Sequence, residues 1–389
     1  MKKSVIFILF FVNLSYSLKI KNINFSGDAI TKKSTLLSFF PEYYEKQEFS
    51  EEELKQAIRN WKRRLERTGW FRNIKIDTIN IETNDVDINI NFTEKIPYTV
   101  YVKNNYLGIG KYNIWGEGKE LYFEAGLSHK GIRIIDRIFN KTSYFYEFYA
   151  GSEQFYLYEY VNEEIEKTEL SRQRVYAKAG NNIFPDQKLS LAIHLEWFQN
   201  TNDNENSKNI NSSTLNWSYD VTEGYPVIKN GIKWENSFRF YTDFKFLIET
   251  DFKGYFQVFD TLILGSRVHM GLSYPELPLY HKFNLQGING LRTMSVMDGL
   301  IGNNVWDLHI ELRWAFWDVV PFLLYDLQLE TLGFVDIGEA RDKIENFGKP
   351  HIVYGCGIRI YLDTFAIRTE IGVAENSKVS VLSSFEMPF

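Results

Sequence analysis

Asp307-Leu308-His309-Ile310-Glu311-Leu312-Arg313-Trp314 alternates without a break. In an extended chain, successive side chains point to opposite faces. Asp307, His309, Glu311 and Arg313 therefore share one side, and Leu308, Ile310, Leu312 and Trp314 share the other. A soluble sheet also alternates, but here the polar face carries paired charges and the apolar face carries an aromatic near the strand end. That is the pattern of a strand between water and lipid. It recurs where Leu189, Leu191, Ile193, Leu195 and Trp197 oppose Ser190, His194 and Glu196. It recurs again where Ile358, Ile360 and Leu362 oppose Arg359, Tyr361 and Asp363, and where Phe365, Ile367, Ile371 and Val373 oppose Arg368, Glu370 and Gly372.

The chain around these strands has 389 residues, 24% charged and 44% hydrophobic, with a mean hydropathy of −0.29. That excludes a bundle of membrane-spanning helices, each of which needs about 20 consecutive apolar residues. Aromatics reach 16%, and one cysteine forbids internal disulfides and Cys-cluster metal sites. A net charge of −6 argues against a nucleic-acid partner.

Residues 1–17 read as a secretory signal: Lys2 and Lys3 precede the apolar run Val5–Val12, and Ser15-Tyr16-Ser17 supplies small residues for cleavage. The apolar run is too short for a membrane anchor. Removing the two lysines from a net charge of −6 leaves −8.

Residues 18–96 read as a small α+β domain. Leu18, Ile20 and Asn22 against Lys19, Lys21 and Ile23 suggest a strand, and Thr31–Phe40 a short helix capped by Thr31 and closed by Pro41. Ser50-Glu51-Glu52-Glu53 is a capping box. The helix it opens lines up Leu54, Ile58, Trp61 and Leu65 on one face, with Lys55, Arg59, Lys62, Arg63 and Arg64 mostly off it. Gly69 stops the helix, and Trp70 and Phe71 open the next strand, which places Ile74 and Ile76 on one side. A last strand carries Val86, Ile88, Ile90 and Phe92. This order, with Gly69-Trp70-Phe71 at the joint, closely resembles a POTRA domain. The resemblance implies an open sheet edge able to pair with an extended client strand.

Residues 97–389 are then the barrel. At about 18 residues per strand and its turn, they supply roughly sixteen antiparallel transmembrane strands. Glu163–Ser171 and Thr201–Ser213 read as outward loops, and Gly108-Ile109-Gly110 and Gly116-Glu117-Gly118 as barrel turns. The chain ends with Phe385, Met387 and Phe389 on one face, a terminal strand of the kind outer-membrane barrels use as an assembly signal.

POTRA plus barrel resembles the BamA, TamA, FhaC and Sam-type superfamily, the outer-membrane-protein-eighty-five or bacterial surface antigen family. Leu332-Gly333-Phe334-Val335-Asp336-Ile337-Gly338 looks like its F-x-D-x-G strand motif, with Phe334 and Asp336 facing the lumen. Gly287-Ile288-Asn289-Gly290-Leu291-Arg292, in the long segment between Tyr274 and Asn304, resembles the loop that the family tucks into the barrel. Thr293 and Met294 replace the glycine and aromatic of its arginine–glycine–aromatic tip. The resemblance implies an Arg292–Asp336 ion pair, with Glu311 or Glu370 as alternative acceptors, that pins the loop to the wall.

Six histidines are scattered without metal-ligand spacing, and His309 with Asp307 and Glu311 reads as a lumen charge network. Cys356 shares the outward parity of Ile358 and reads as inert. No enzyme chemistry, metal or cofactor is expected. The resemblance implies an outer-membrane insertion or translocation component with its POTRA domain in the periplasm. It would act on unfolded outer-membrane or secreted clients in a lipid bilayer, alongside periplasmic or lipoprotein partners. A seam between the first strand, near Tyr98–Asn104, and the last, near Lys378–Phe389, would template client strands. A two-partner-type secretion pore and a passive pore or surface antigen are the alternatives.

Overall fold

The computed structural model describes residues 17–386 apart from 28–29, 46–47, 81–83, 104–105, 138–143, 162–163, 185, 201–202, 225–226, 288–289, 293, 295–299, 317–318, 323–324, 363–364 and 376–378. The expected signal (but for Ser17), Thr293, Met387 and Phe389 lie outside the described residues, as does the Phe385 side chain.

The N-terminal domain runs β1 (Leu18–Ser26), α1 (Lys33–Leu37), α2 (Pro41–Glu45), β2 (Glu48–Phe49), α3 (Glu51–Arg67), β3 (Phe71–Asn80) and β4 (Asp85–Glu94). Its sheet has the order β2-β1-β4-β3, with β1 parallel to β4 and the other pairs antiparallel. Leu54, Trp61 and Leu65 of α3 bury onto Val86, Ile88, Ile90 and Phe92 of β4 as one core. The Ser50 capping box forms with both of its hydrogen bonds.

Two local expectations are corrected. The alternation of β1 slips at a bulge between Ile20 and Asn22, so Ile23 turns into the core beside Ile20 instead of joining the lysines. The first helix covers only Lys33–Leu37, has Lys32 at its N-cap, and ends before Pro41, which opens α2. Thr31 does not cap it; its hydroxyl donates to Glu94 instead (2.9 Å). Proline at a first helical position loses no hydrogen bond, which is why it starts a helix here.

The barrel wall consists of β5 (Tyr98–Lys103), β6 (Tyr106–Ile114), β7 (Lys119–Gly126), β8 (His129–Arg137), β9 (Tyr144–Val161), β10 (Glu164–Phe184), β11 (Gln187–Asn200), β12 (Asp203–Asp220), β13 (Gly231–Tyr241), β14 (Phe246–Phe259) and β15 (Leu262–Tyr274). A small hairpin of β16 (Phe283–Asn284) and β17 (Ile301–Gly302) stands outside the wall. The wall resumes with β18 (Asn304–Ala315), β19 (Val320–Phe322), β20 (Tyr325–Arg341), β21 (His351–Leu362), β22 (Phe365–Ala374) and β23 (Val379–Glu386). β18 and β19 pair end to end with β20 as one interrupted strand, so sixteen antiparallel strands close into a cylinder, with β23 beside β5. No helix among the described residues is long and apolar enough to cross a membrane.

The faces follow the parity. Asp307, His309, Glu311, Arg359 and Glu370 are buried inside, whereas Ile310, Leu312, Trp314, Ile358 and Ile371 are exposed on the outer wall, as is Cys356. Outward aromatics gather toward the strand ends, with Trp217 against Trp234 near one rim (5.3 Å) and Phe238 against Phe246 toward the other (6.2 Å).

Most of the two polar tracts expected as loops lies in the long strands β10 and β12. Glu164 pairs with Val161, Ser207 pairs with Gln199, and the ladders run on into the wall. About 10 residues span a bilayer, so the 21 residues of β10 overshoot it. Beyond the lipid both faces of a hairpin are wet. The hydrophobic alternation then stops while backbone pairing continues. Gly108-Ile109-Gly110 likewise lies within β6, where Gly110 leaves room for the Tyr122 ring; of the two glycine pairs, only 116–118 forms a turn.

Candidate functional site: a loop clamped inside the barrel

The segment joining β15 to β18 folds back into the cylinder. Leu285, Leu291, Met294 and Leu300 bury against Val305, Leu332, Phe334 and Val353 of the wall. Arg292 is carried in beside Leu291 and is 2% exposed. Its Nε donates to Asp336 Oδ2 (2.7 Å), its second amino group donates to Asp336 Oδ1, and its backbone N–H donates to the same carboxylate (3.2 Å). Nη1 donates to Glu311 Oε1 (2.6 Å) and lies 3.5 Å from Glu370 Oε2. The Phe334 ring lies under the guanidinium, 3.8 Å from ring centroid to the Arg292 Cζ. One loop cation thus reaches β18, β20 and β22 together, in a fork geometry that a lysine cannot reproduce.

The acceptors are themselves held. His309 Nδ1 contacts Asp336 (2.9 Å) and its Nε2 contacts Asp307 (2.7 Å). His269 joins Asp307 (2.6 Å) to Glu249 on β14 (3.0 Å). Arg359 bridges Glu311 and Glu370 (2.7 and 2.8 Å), and Arg313 donates to Glu311 (2.6 Å). Gly338 faces Asp307 across the ladder, where an added Cβ would come within 2.6 Å of the Trp306 carbonyl oxygen. Sequence parity put His309 with Asp307 on the lumen side of one strand, where they meet; cross-strand register adds Asp336 opposite His309, and Arg359 reaches Glu311 two strands away.

The loop has a second footing on the opposite wall. Tyr280 stacks on Phe198 of β11 (4.2 Å), and His281 meets Tyr241 of β13 edge-on (5.2 Å). Spacing alone gave no sign of this.

At the other rim, the N-terminal domain lies across the mouth. Gly69, at φ 68°, turns the chain out of α3, and Trp70 and Phe71 are buried under the helix. Tyr112 of β6 enters that same core and stacks on Trp70 (6.2 Å, 5° between planes). Arg63 donates to Asp186 (2.6 Å) and Arg67 to Asp220 (2.6 Å), while Lys95 pairs with Asp326 of β20 (2.9 Å). Asn113 donates to Glu94 (2.9 Å), and Thr35 to the Gly116 carbonyl (2.8 Å). These contacts fall on four separate stretches of the rim. Of the charges that the sequence places off the apolar face of α3, Arg63 holds the barrel, and Arg67 in the last turn of the helix joins it.

Residues 18–95 match the family model described as POTRA, surface antigen variable number repeat. The N-terminal domain is a POTRA domain. No curated protein sequence matches the chain. Among solved structures, CdiB from Escherichia coli aligns at TM-score 0.66 and 12% identity, over 96% of this chain and 76% of that one. CdiB from Acinetobacter baumannii aligns at TM-score 0.61 and 13% identity, over 95% of this chain and 73% of that one. BamA from Haemophilus ducreyi lacking POTRA domains 1–3 aligns at TM-score 0.56 and 13% identity, over 95% of this chain and 84% of that one. The chain therefore has a POTRA domain on a sixteen-strand barrel of the BamA and CdiB type.

Proposed function

We propose that the chain is an outer-membrane component that inserts client β-strands laterally, with its POTRA domain in the periplasm and no catalytic chemistry of its own. The observation that carries this reading is the closure of the lumen at both ends. The Arg292 loop crosses the interior, and the POTRA domain is held to four stretches of the rim away from that loop. A client passing through the lumen would have to displace the buried Arg292 clamp and the partly exposed POTRA contacts. A client entering the wall has only to pair with an edge. Among the described residues the first wall strand, β5, covers six positions, and β23 beside it covers eight. A short ladder has few hydrogen bonds to exchange, and an exposed edge templates a strand through its unpaired backbone groups. The free energy comes from client folding in lipid, with β3 at the edge of the POTRA sheet as the collecting strand. A secretion pore and a passive surface barrel are the competing outcomes.

The test is reconstitution in liposomes with an unfolded outer-membrane barrel as client, scored by protease-protected folding. A second form carries a disulfide between β5 and β23, with Cys356 replaced. Accelerated client folding that the lock abolishes and reduction restores is the expected result. Folding at the spontaneous rate, locked or not, overturns the insertase reading.

A further inference from the structure

On β5, β6 and β7 the outward residues Val100, Ile109 and Phe123 are exposed. Toward the POTRA rim the same face changes character. Tyr98 is 58% exposed, with Lys111 Nζ 5.2 Å from its ring centroid. Beyond it, in the turn between β6 and β7, Trp115 is 72% exposed, with Lys119 Nζ 5.7 Å from its ring. The turn is held by backbone geometry that is costly outside glycine: Trp115 sits at φ 56°, followed by Gly116 at φ 69° and Gly118 at φ 75°.

The POTRA domain is built onto this turn. Lys32 N–H donates to the Gly116 carbonyl (3.0 Å), and a Cβ on Gly116 would fall 2.3 Å from the Ile30 carbonyl oxygen. Ile30 itself is 61% exposed. Lys32 and Lys119 both pair with Glu117, Asp136 stands opposite Lys119 across the ladder, Glu94 accepts from the Ile30 N–H (2.7 Å), and Lys111 lies beside the Tyr98 ring. An exposed indole, phenol and isoleucine thus stand beside three lysine ammonium groups, continuous with the outward apolar wall above them.

Trp and Tyr favour the headgroup level of a bilayer, and lysines there snorkel toward anionic phosphates. We propose that this lip, shared by the barrel turn and the POTRA Ile30 segment, is seated in the periplasmic leaflet and holds anionic phospholipid headgroups. The POTRA domain is then part of the membrane contact and is fixed in depth beside the first strands of the barrel. The inference requires only that the barrel spans a membrane, and it stands whichever way client proteins pass.

The full-length protein with Cys356→Ser and a spin label at Ile30→Cys, in nanodiscs of phosphatidylcholine with or without phosphatidylglycerol, tests the depth. A reference label at Lys55→Cys reports the solvent face of α3. The label at position 30 should show a several-fold higher ratio of oxygen to water-soluble nickel-chelate accessibility than the reference. Equal ratios at the two positions place the lip in water and overturn the proposal. Native mass spectrometry tests the headgroup: the wild type should retain phosphatidylglycerol over phosphatidylcholine, and Lys111→Gln with Lys119→Gln should lose that preference. Equal retention by the wild type, or a preference unchanged in the double variant, overturns the assignment to anionic lipid.

Discussion

Arg292 donates to two of the three carboxylates that reach it, Asp336 and Glu311, and removing either side of the Asp336 pair has different consequences. Asp336→Asn leaves a buried guanidinium facing Glu311 with half its compensation gone. Breaking one partner of a buried pair costs about 3–5 kcal/mol, so the unfolding midpoint in detergent should fall clearly. Arg292→Lys keeps the charge but cannot span Asp336 and Glu311 at once. Its midpoint should fall less, while protease cutting within 275–303 should rise. Equal stability of both variants and the parent would mean that the apolar footing of Leu285 and Leu291 holds the loop alone. The two ends of the clamp could be read from residues 287–292 and 332–338. Of the relay behind it, His309 with Asp307 was legible within one strand, whereas Asp336 opposite His309 needs the cross-strand register, and Arg359 reaching Glu311 two strands away needs the curvature of the closed wall.

At the scale of elements, α2 and α3 show what short local signals can and cannot specify. The capping box and the apolar face at Leu54, Trp61 and Leu65 are written in neighbouring residues, and they form as read. The contact between the two helices is not local. Glu42 accepts from both Arg64 amino groups (2.8 and 2.6 Å) and from the Trp61 indole (2.9 Å). Burial pushes the Glu42 carboxyl up, but Arg64 and the Trp61 N–H outweigh it and hold the group below the usual carboxylate range. A lowered folded value stabilises the domain above the ordinary carboxylate pKa, and that stability is lost as pH falls through the lowered value. Protection of the α2 amides, measured against their intrinsic exchange at each pH, should therefore fall on acidification in the wild type. Glu42→Gln should exchange faster at neutral pH and respond less to acid. An identical acid response in both forms would assign the loosening to other carboxylates. The same distinction explains β1: its apolar residues were visible, but the bulge that turns Ile23 inward depends on pairing with β4, 65 residues away at Ile23↔Ile88.

For the whole molecule, period-two alternation in a few strands, taken with the signal segment and the aromatic last strand, was enough to identify the cylinder, because those strands have an apolar outer face and a charged inner one. Alternation carries no information about how the POTRA domain sits, since that depends on rim residues scattered from 113 to 326 meeting α1, α3, the end of β4 and the linker at Lys95. Arg63 is buried against Asp186, whereas the Arg67–Asp220 pair is more open to solvent. Replacing both arginines with alanine leaves Asp186 short of its cation and removes the attachment at β10–β13, while Tyr112 stays in the POTRA core. The domain should then pivot about β6 rather than detach. Spin labels at Lys55→Cys and Asp260→Cys, with Cys356→Ser, would report this as a distance distribution that is narrow in the parent and broad in the double alanine variant. High salt should broaden the parent distribution only slightly, because the Arg63 pair is shielded from counterions. A distribution that stays narrow in the variant would show that the shared aromatic core alone fixes the domain. The arginines would then add no rigidity to the docked domain.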